Sequence, residues 1–486
     1  MSKYKCGLSK RRESIFSEHY LVNSIGTLFE NKNLEQTQCN IGDTVNLSGI
    51  ELEKLINIMK KASAEHIEST FNRIDARIEA KLKHDQDKAE LAIFETVTDR
   101  QFMKGPRSNI ELDDIVQRIE RAAATNSDVR CVIVGLPFKM PSILKCPSGK
   151  ADLSEVGFIL QLEEFCQVLR RVILKWITSQ WMGCVRFDVV CDGSRFNNIV
   201  GISEEEINEY KESTRMWLRR FNLENAISLY DYKELLSKNL SNDDMLMKEE
   251  RREDVRRLYF DVLGTYITVD TLHRKLHEAL INDPDHEYEN VRGRFTNLFQ
   301  SMLFTMRYRC IEGGNRRSTL YQLEYLRRMK DIMLLLKGAG FKKEIVCTRD
   351  ELNMVLTEAW QATIAYIAEI RSDRDWNVDT IMLFFPDCLR WTIHSKSGQI
   401  GMNCTRSNGL SIWPWHGVSI LKESDSKLKQ YNLPISMIDK DKYFAITAEV
   451  CGSESLLIHI PHSADWKCKN KLFEELEMKY TRRVNG

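Results

Sequence analysis

The segment from Val129 to Asp192 constrains this chain more than any other. Cys131–Leu136 is an unbroken apolar run, rich in β-branched residues and stopped by Pro137. Such a run fits a strand buried on both faces of a parallel sheet. Val156–Ile177 carries Ile159, Leu160, Phe165, Val168, Leu169 and Ile173 at helical spacing. Val185–Val190 is a second apolar run, and it ends in Cys191-Asp192-Gly193. Together these form a βαβ unit. Parallel strands end on the same side, so Lys139 and Asp192 are predicted at one sheet edge. Open α/β sheets bind their ligands outside that edge.

The alternation continues downstream. Ser203 and Glu206 form a capping box that opens a helix to about Phe221, and Ala226–Tyr230 is a third short strand ending at Asp231. The pattern predicts an α/β fold with a Rossmann-like, mostly parallel sheet core, a helical N-terminal extension and an α+β C-terminal region. Met1–Asn46 is polar and reads as a mobile arm or a loosely docked extension, with a basic cluster at Lys10-Arg11-Arg12. From Ser48 to Val97 a stripe of Leu52, Leu55, Ile56, Met59, Ile67, Phe71, Ile74, Ile78 and Leu82 predicts helix. That stripe serves either a helix packed on its own domain or one arm of a homodimer. Gly105-Pro106 breaks the pattern, and Glu111–Ala124 resumes it as an amphipathic helix. Three regions follow: residues 1–104, a polar arm and helical extension; 105–340, the α/β core with a charged helical insert; and 341–486, the α+β region. In the last, Thr348 and Glu351 cap a helix to about Ile370. Short apolar segments follow at Ile381–Phe385 and Leu389–His394. Tyr443–Val450 and Leu456–Ile460 form a hairpin, and a polar helix spans Lys469–Lys479.

Composition narrows the class. Lys+Arg and Asp+Glu both number 70, so the chain carries no net charge. That balance disfavours a nucleic-acid binder dependent on bulk charge. The 13 cysteines show neither a CxxC pair nor a zinc spacing and read as reduced thiols. His273 with His277, and His459 with His462, lack an evident third ligand, so no metal is expected. Met1–Tyr20 is too polar for a secretory signal, and no run of 18 apolar residues exists, so a soluble, cytoplasmic protein without a membrane span is expected.

Several residues invite chemistry. Lys139 leaves an apolar strand end, where desolvation favours amine chemistry and a point charge favours phosphate; the alternative is a lysine that snorkels to solvent. Lys145 and Lys150 share its loop and suit an anionic substrate. Asp152 and Glu155 read as a helix capping box or as a ligand-binding acidic pair. Asp192 can orient an amine or hydroxyl, or can be a turn residue before glycine. Arg390 and His394, four apart on a strand, share one face, while Leu389, Trp391 and Ile393 take the other. They suit an anion clamp and a general acid/base, or a solvated polar face. Trp413-Pro414-Trp415-His416 places another histidine in an aromatic loop.

Taken in order, Leu136-Pro137-Phe138-Lys139, then Lys145, Ala151-Asp152-Leu153-Ser154-Glu155, Asp192-Gly193, Phe385-Pro386-Asp387-Cys388-Leu389-Arg390-Trp391-Thr392-Ile393-His394 and Pro414-Trp415-His416-Gly417 resemble the pyoverdine/dityrosine biosynthesis family, the isocyanide synthases. The resemblance covers about Phe94–Leu421. It implies a Rossmann-like core and an enzyme that converts the amine of an amino acid of tyrosine or tryptophan type into an isonitrile. Ribulose 5-phosphate would donate the carbon, and no cofactor is implied. Fungal relatives imply an alternative, an N-formyl amino acid product; a catalytically inactive metabolite- or protein-binding homologue is the third reading. Carried onto this chain, Lys139, Asp192, His394 and His416 are the expected catalytic residues, and Lys145, Asp152, Glu155, Arg195 and Arg390 the expected substrate-binding ones. The chain departs from the family pattern at Ser142, Ala151, Ser154, Ser194 and Asn198. Arg195 stands one position after the arginine the pattern expects.

Overall fold

A computed structural model describes residues 44–82, 87–107, 110–139, 149–200, 202–268, 270–282, 349–374, 380–393, 399–403, 413–424, 427–433 and 443–461, with 295, 298, 299 and 302. The described residues fall into two compact units, one within 38–255 and 366–486 and the other within 256–365.

The first unit is built on the predicted parallel sheet. Strands β2 (Val129–Val134), β3 (Val185–Cys191), β4 (Ile227–Asp231), β5 (Leu389–Thr392) and β6 (Ile400–Gly401) lie in the order β4-β3-β2-β5-β6. Every neighbouring pair is parallel. From β2 the chain steps outward to β3 and β4, then returns to β5 on the other side. The direction reverses between β2 and β5, and such a switch point opens a crevice at the strands' carboxyl ends.

Helices cover both faces. On one, α4 (Leu153–Val172) buries Phe158, Phe165 and Leu169, and Phe165 meets Trp391 edge-on at 4.6 Å. On the other, Val132 and Val190 pack with Tyr232, Leu235 and Leu236 of α7 (Tyr232–Asn239). Ile381 and Phe385 join that second core. The apolar segment there forms a short helix, Thr380–Phe384. A five-residue apolar run has no readable period, and the i, i+4 pair on one side is what the sheet face accepts.

Helix α1 (Gly49–Lys81) and α2 (Lys88–Val97) are the predicted extension. Ser48 and Glu51 form a capping box at the start of α1, and its stripe, from Leu52 to Ile78, is buried within this unit. Arg171 with Glu68, and Lys175 with Asp75, tie α1 to the end of α4. Helix α3 (Leu112–Ala124) leads into β2. The box of Ser203 and Glu206 caps α6 (Glu204–Phe221), which ends on a left-handed Asn222 with φ 59°.

A second sheet is mixed, in the order β1-β9-β10-β7-β8. Its hairpin, β9 (Tyr443–Val450) and β10 (Ser453–Pro461), turns through Cys451-Gly452 as expected. Strands β7 (Val418–Ser424) and β8 (Lys427–Leu433) pair antiparallel beside it. Of the two readings of the N-terminal segment, strand β1 (Thr44–Leu47) fits the docked one at its end: it lies parallel to β9, Val45 opposite Ile446, and buries Leu47. Four residues carry too little pattern to announce a strand; the partner 400 residues downstream supplies the ladder.

In the second unit Trp360 of α10 (Arg349–Arg374) packs on Phe295 at 4.6 Å and donates to the Gly264 carbonyl at 3.0 Å. The N-terminal basic cluster and the Lys469–Lys479 helix lie outside the described residues. No helix among those described is long and apolar enough to cross a membrane.

Candidate active site

The carboxyl ends of β2, β3 and β5 gather the predicted motifs. After β2 the chain turns sharply. Leu136 takes φ 51°, a left-handed conformation rare for a leucine, and is fully buried. Pro137 follows, and Gly193 rests against it. A Cβ on Gly193 would come within 1.9 Å of the Pro137 carbonyl oxygen, so only glycine fits. The Asp192-Gly193 pair is therefore more than a turn: it lets the exits of β2 and β3 touch.

Lys139 does not snorkel. It is 2% exposed, and its Nζ donates to both Glu155 oxygens at 2.7 Å and to the Pro414 carbonyl at 2.9 Å. Asp152 Oδ2 lies 3.0 Å away. Asp152 and Glu155 form the predicted capping box of α4: the Asp152 N–H donates to Glu155 Oε2 at 2.8 Å, and the Ser154 N–H to Asp152 Oδ1 at 2.7 Å. The Tyr210 hydroxyl of α6 donates to Glu155 Oε1 at 3.3 Å. Burial, and then the Glu155 charge, push the Tyr210 phenol well above its usual range. Two carboxylates, one ammonium and a phenol thus make a buried cluster.

Lys150, grouped by sequence with an anion-binding loop, is buried instead. It donates to the carbonyls of Val450 at 2.7 Å and Cys451 at 2.9 Å, at the β9–β10 turn.

Asp192 differs. No other side chain among the described residues is hydrogen-bonded to its carboxylate. Desolvation raises its carboxyl from 3.8 to about 6, against the pull of Arg195 and Arg390. Arg390 is opposite Val132 in the β2–β5 register, on the face away from buried Leu389 and Trp391, as the alternation predicts. Its guanidinium donates to the Trp391 carbonyl. Arg195, on α5 (Gly193–Val200), is bound to Glu369: Nε reaches Oε1 at 3.0 Å, and a second nitrogen reaches the backbone carbonyl at 2.6 Å. Its guanidinium also lies over the Tyr232 ring at 4.7 Å. Ser194 hydrogen-bonds Asp231 at 2.9 Å, and Lys211 pairs with the other oxygen of that carboxylate at 2.9 Å. Burial pushes the Cys191 thiol up to about 12, which keeps it protonated beside Asp192.

Lys145 and His394 lie outside the described residues. His416 closes a single 3₁₀ turn, Pro414–His416, and its side chain is likewise outside them. Tyr210 and Glu369 were not foreseen. Each sits on a helix whose local pattern offers no sign of the charge it meets, and only the pairing of elements reveals it.

The fold is a doubly wound parallel α/β sheet with charged residues outside its strand ends at a switch point, the place where open α/β sheets bind ligands. Residues 119–329 match the family model described as the pyoverdine/dityrosine biosynthesis protein. That match contains Lys139, Asp152, Glu155, Asp192 and Arg195; Arg390, His394 and His416 fall beyond it. Among solved structures, the PvcA protein from Pseudomonas aeruginosa is similar, at 14% identity and a TM-score of 0.43, over 76% of this chain and 99% of that one. No curated protein sequence matches.

Proposed function

We propose that this chain is a biosynthetic enzyme of the isocyanide synthase type, acting on the amine of an amino acid with ribulose 5-phosphate as carbon donor. The carrying observation is convergence. The Lys139, Asp152–Glu155, Asp192-Gly193, Arg390 and Pro414–His416 motifs are far apart in sequence yet meet around one set of strand ends. In this reading the amine adds to the sugar ketone and water leaves, giving an imine before the sugar skeleton fragments. Asp192, with its carboxyl near 6, can take and return a proton close to neutral pH. Arg390 faces it as a planar fork for a carboxylate or phosphate. His394 and His416 are the further proton carriers, and Lys145 a further anion contact, on their motif positions.

The test incubates the full-length protein with tyrosine or tryptophan and ribulose 5-phosphate, and reads product mass. An isonitrile is expected, and turnover should survive exhaustive chelation. A formylated amino acid would move the assignment to the dityrosine-type product. One observation favours the inactive-homologue reading: Ser194 stands where the family pattern has arginine, and the neighbouring Arg195 is engaged by Glu369. Absence of turnover with retained binding of the amino acid would establish that reading.

A further inference from the structure

We infer that Lys139 is a positioning residue, whose ammonium fixes the Trp413–His416 turn to the first turn of α4. An ammonium has three N–H donors and no acceptor. Those of Lys139 go to the two Glu155 oxygens and the Pro414 carbonyl at 2.7 to 2.9 Å, and Asp152 Oδ2 adds an ion pair at 3.0 Å. None is left for a substrate, and the group is sealed from solvent. Two of its anchors, Asp152 and Glu155, belong to one helix start; the third lies 275 residues along the chain. The link therefore joins an element set by the α/β core to the turn that carries His416.

Other contacts also reach that turn, among them the Lys104 ammonium over the Trp413 ring at 5.3 Å. The Gly417 N–H bonds the same Pro414 carbonyl at 3.3 Å. Trp413 and Trp415 stack at 5.4 Å, and Trp415 meets Phe158 of α4 edge-on at 6.0 Å. Gly135 leaves room for the Trp415 ring, which a Cβ there would approach to 3.3 Å. Aromatic contacts can slide along a helix face; a charge-assisted bond to a carbonyl fixes the height of the turn above the strand ends.

The inference rests on the reading of this edge as the active site, but its first test needs no turnover. Lys139→Met alone would strand two buried carboxylates, so the informative protein is the double variant Lys139→Met with Glu155→Gln. Glutamine at the third helical position still accepts the Asp152 N–H, so the α4 cap survives. Amide hydrogen exchange on the full chain should show the 413–417 segment exchanging at least tenfold faster in the double variant. Segments 129–134 and 156–169 should be unchanged, and Glu155→Gln alone should protect the turn as wild type does. A turn fully protected in the double variant would overturn the inference, since the aromatic contacts would then suffice. Loss of protection throughout the chain would also overturn it, because Lys139 would then support the whole edge. Where turnover is measurable, kcat should fall while both KM values stay within about twofold; a rise in either KM would return Lys139 to the substrate.

Discussion

Lys139 and Asp192 leave neighbouring parallel strands at the same edge, yet one is closed and the other open. Lys139, five residues past β2, folds back into the protein and is saturated by Glu155, Asp152 and Pro414. Asp192, directly after β3, has no side-chain hydrogen bond among the described residues, and Arg195 and Arg390 pull on its charge. The same topological address thus holds a saturated ammonium in one case and a carboxyl with a raised pKa in the other. What separates them is the next element: α4 offers Lys139 two carboxylates in its first turn, while α5 begins on a glycine pressed against Pro137.

The sharpest break in this comparison comes from Lys139→Met. It leaves two buried carboxylates facing one another, and breaking such a pair costs about 3–5 kcal/mol. Urea unfolding should show that loss; a variant as stable as wild type would mean the cluster is not closed. Asp192→Asn should do the reverse, with a stable fold and a kcat lower by roughly 10²–10⁴-fold, the usual scale of a general acid/base. Its pH–rate profile should also lose the inflection near 6. Unchanged kinetics would leave Asp192 a bystander.

Gly193→Ala probes the contact between the two exits. The Cβ would meet backbone at 1.9 Å, so the strand ends must part, at about 1–3 kcal/mol for overpacking or more. Thermal unfolding would register it, and a neutral result would show that the exits can separate freely. The pH dependence of stability sharpens the comparison further. The Asp192 carboxyl is raised from 3.8 to about 6 in the fold, so its protonated form adds stability that is complete below 3.8 and lost as pH passes 6. Urea midpoints from pH 3 to 7 should therefore differ in trend between wild type and Asp192→Asn, with that component absent from the variant. The smallest effect is expected away from the edge: Ser203→Ala removes the α6 cap, at about 1 kcal/mol, and kinetics should not change.

Much of the fold was legible because it depends on local pattern. Cys131–Leu136 and Val185–Val190 could be read as buried parallel strands, and the boxes at Asp152/Glu155 and Ser203/Glu206 as helix starts, because strand burial and helix caps are written within a few residues. Arg390 opposite Trp391 followed from the two-residue period of a strand. Thr44–Leu47 and Thr380–Phe384 escaped, being too short to show a period and taking their form from a partner. The site was legible as an address and a set of residue types. Its wiring was not, since a lysine at a strand end reads the same whether it meets solvent, phosphate or a buried carboxylate.

By itself the sequence determined the parallel α/β core, the edge at which its charged residues collect, and the family pattern those residues follow. These are consequences of periodicity, capping and chain order, which need no knowledge of distant partners. Only the tertiary structure decided that Lys139 is spent on Glu155, Asp152 and Pro414, that Arg195 turns to Glu369, and that burial raises the Asp192 carboxyl. Charge at short range depends on which groups share a few ångströms of desolvated space. That neighbourhood is assembled from segments up to 275 residues apart.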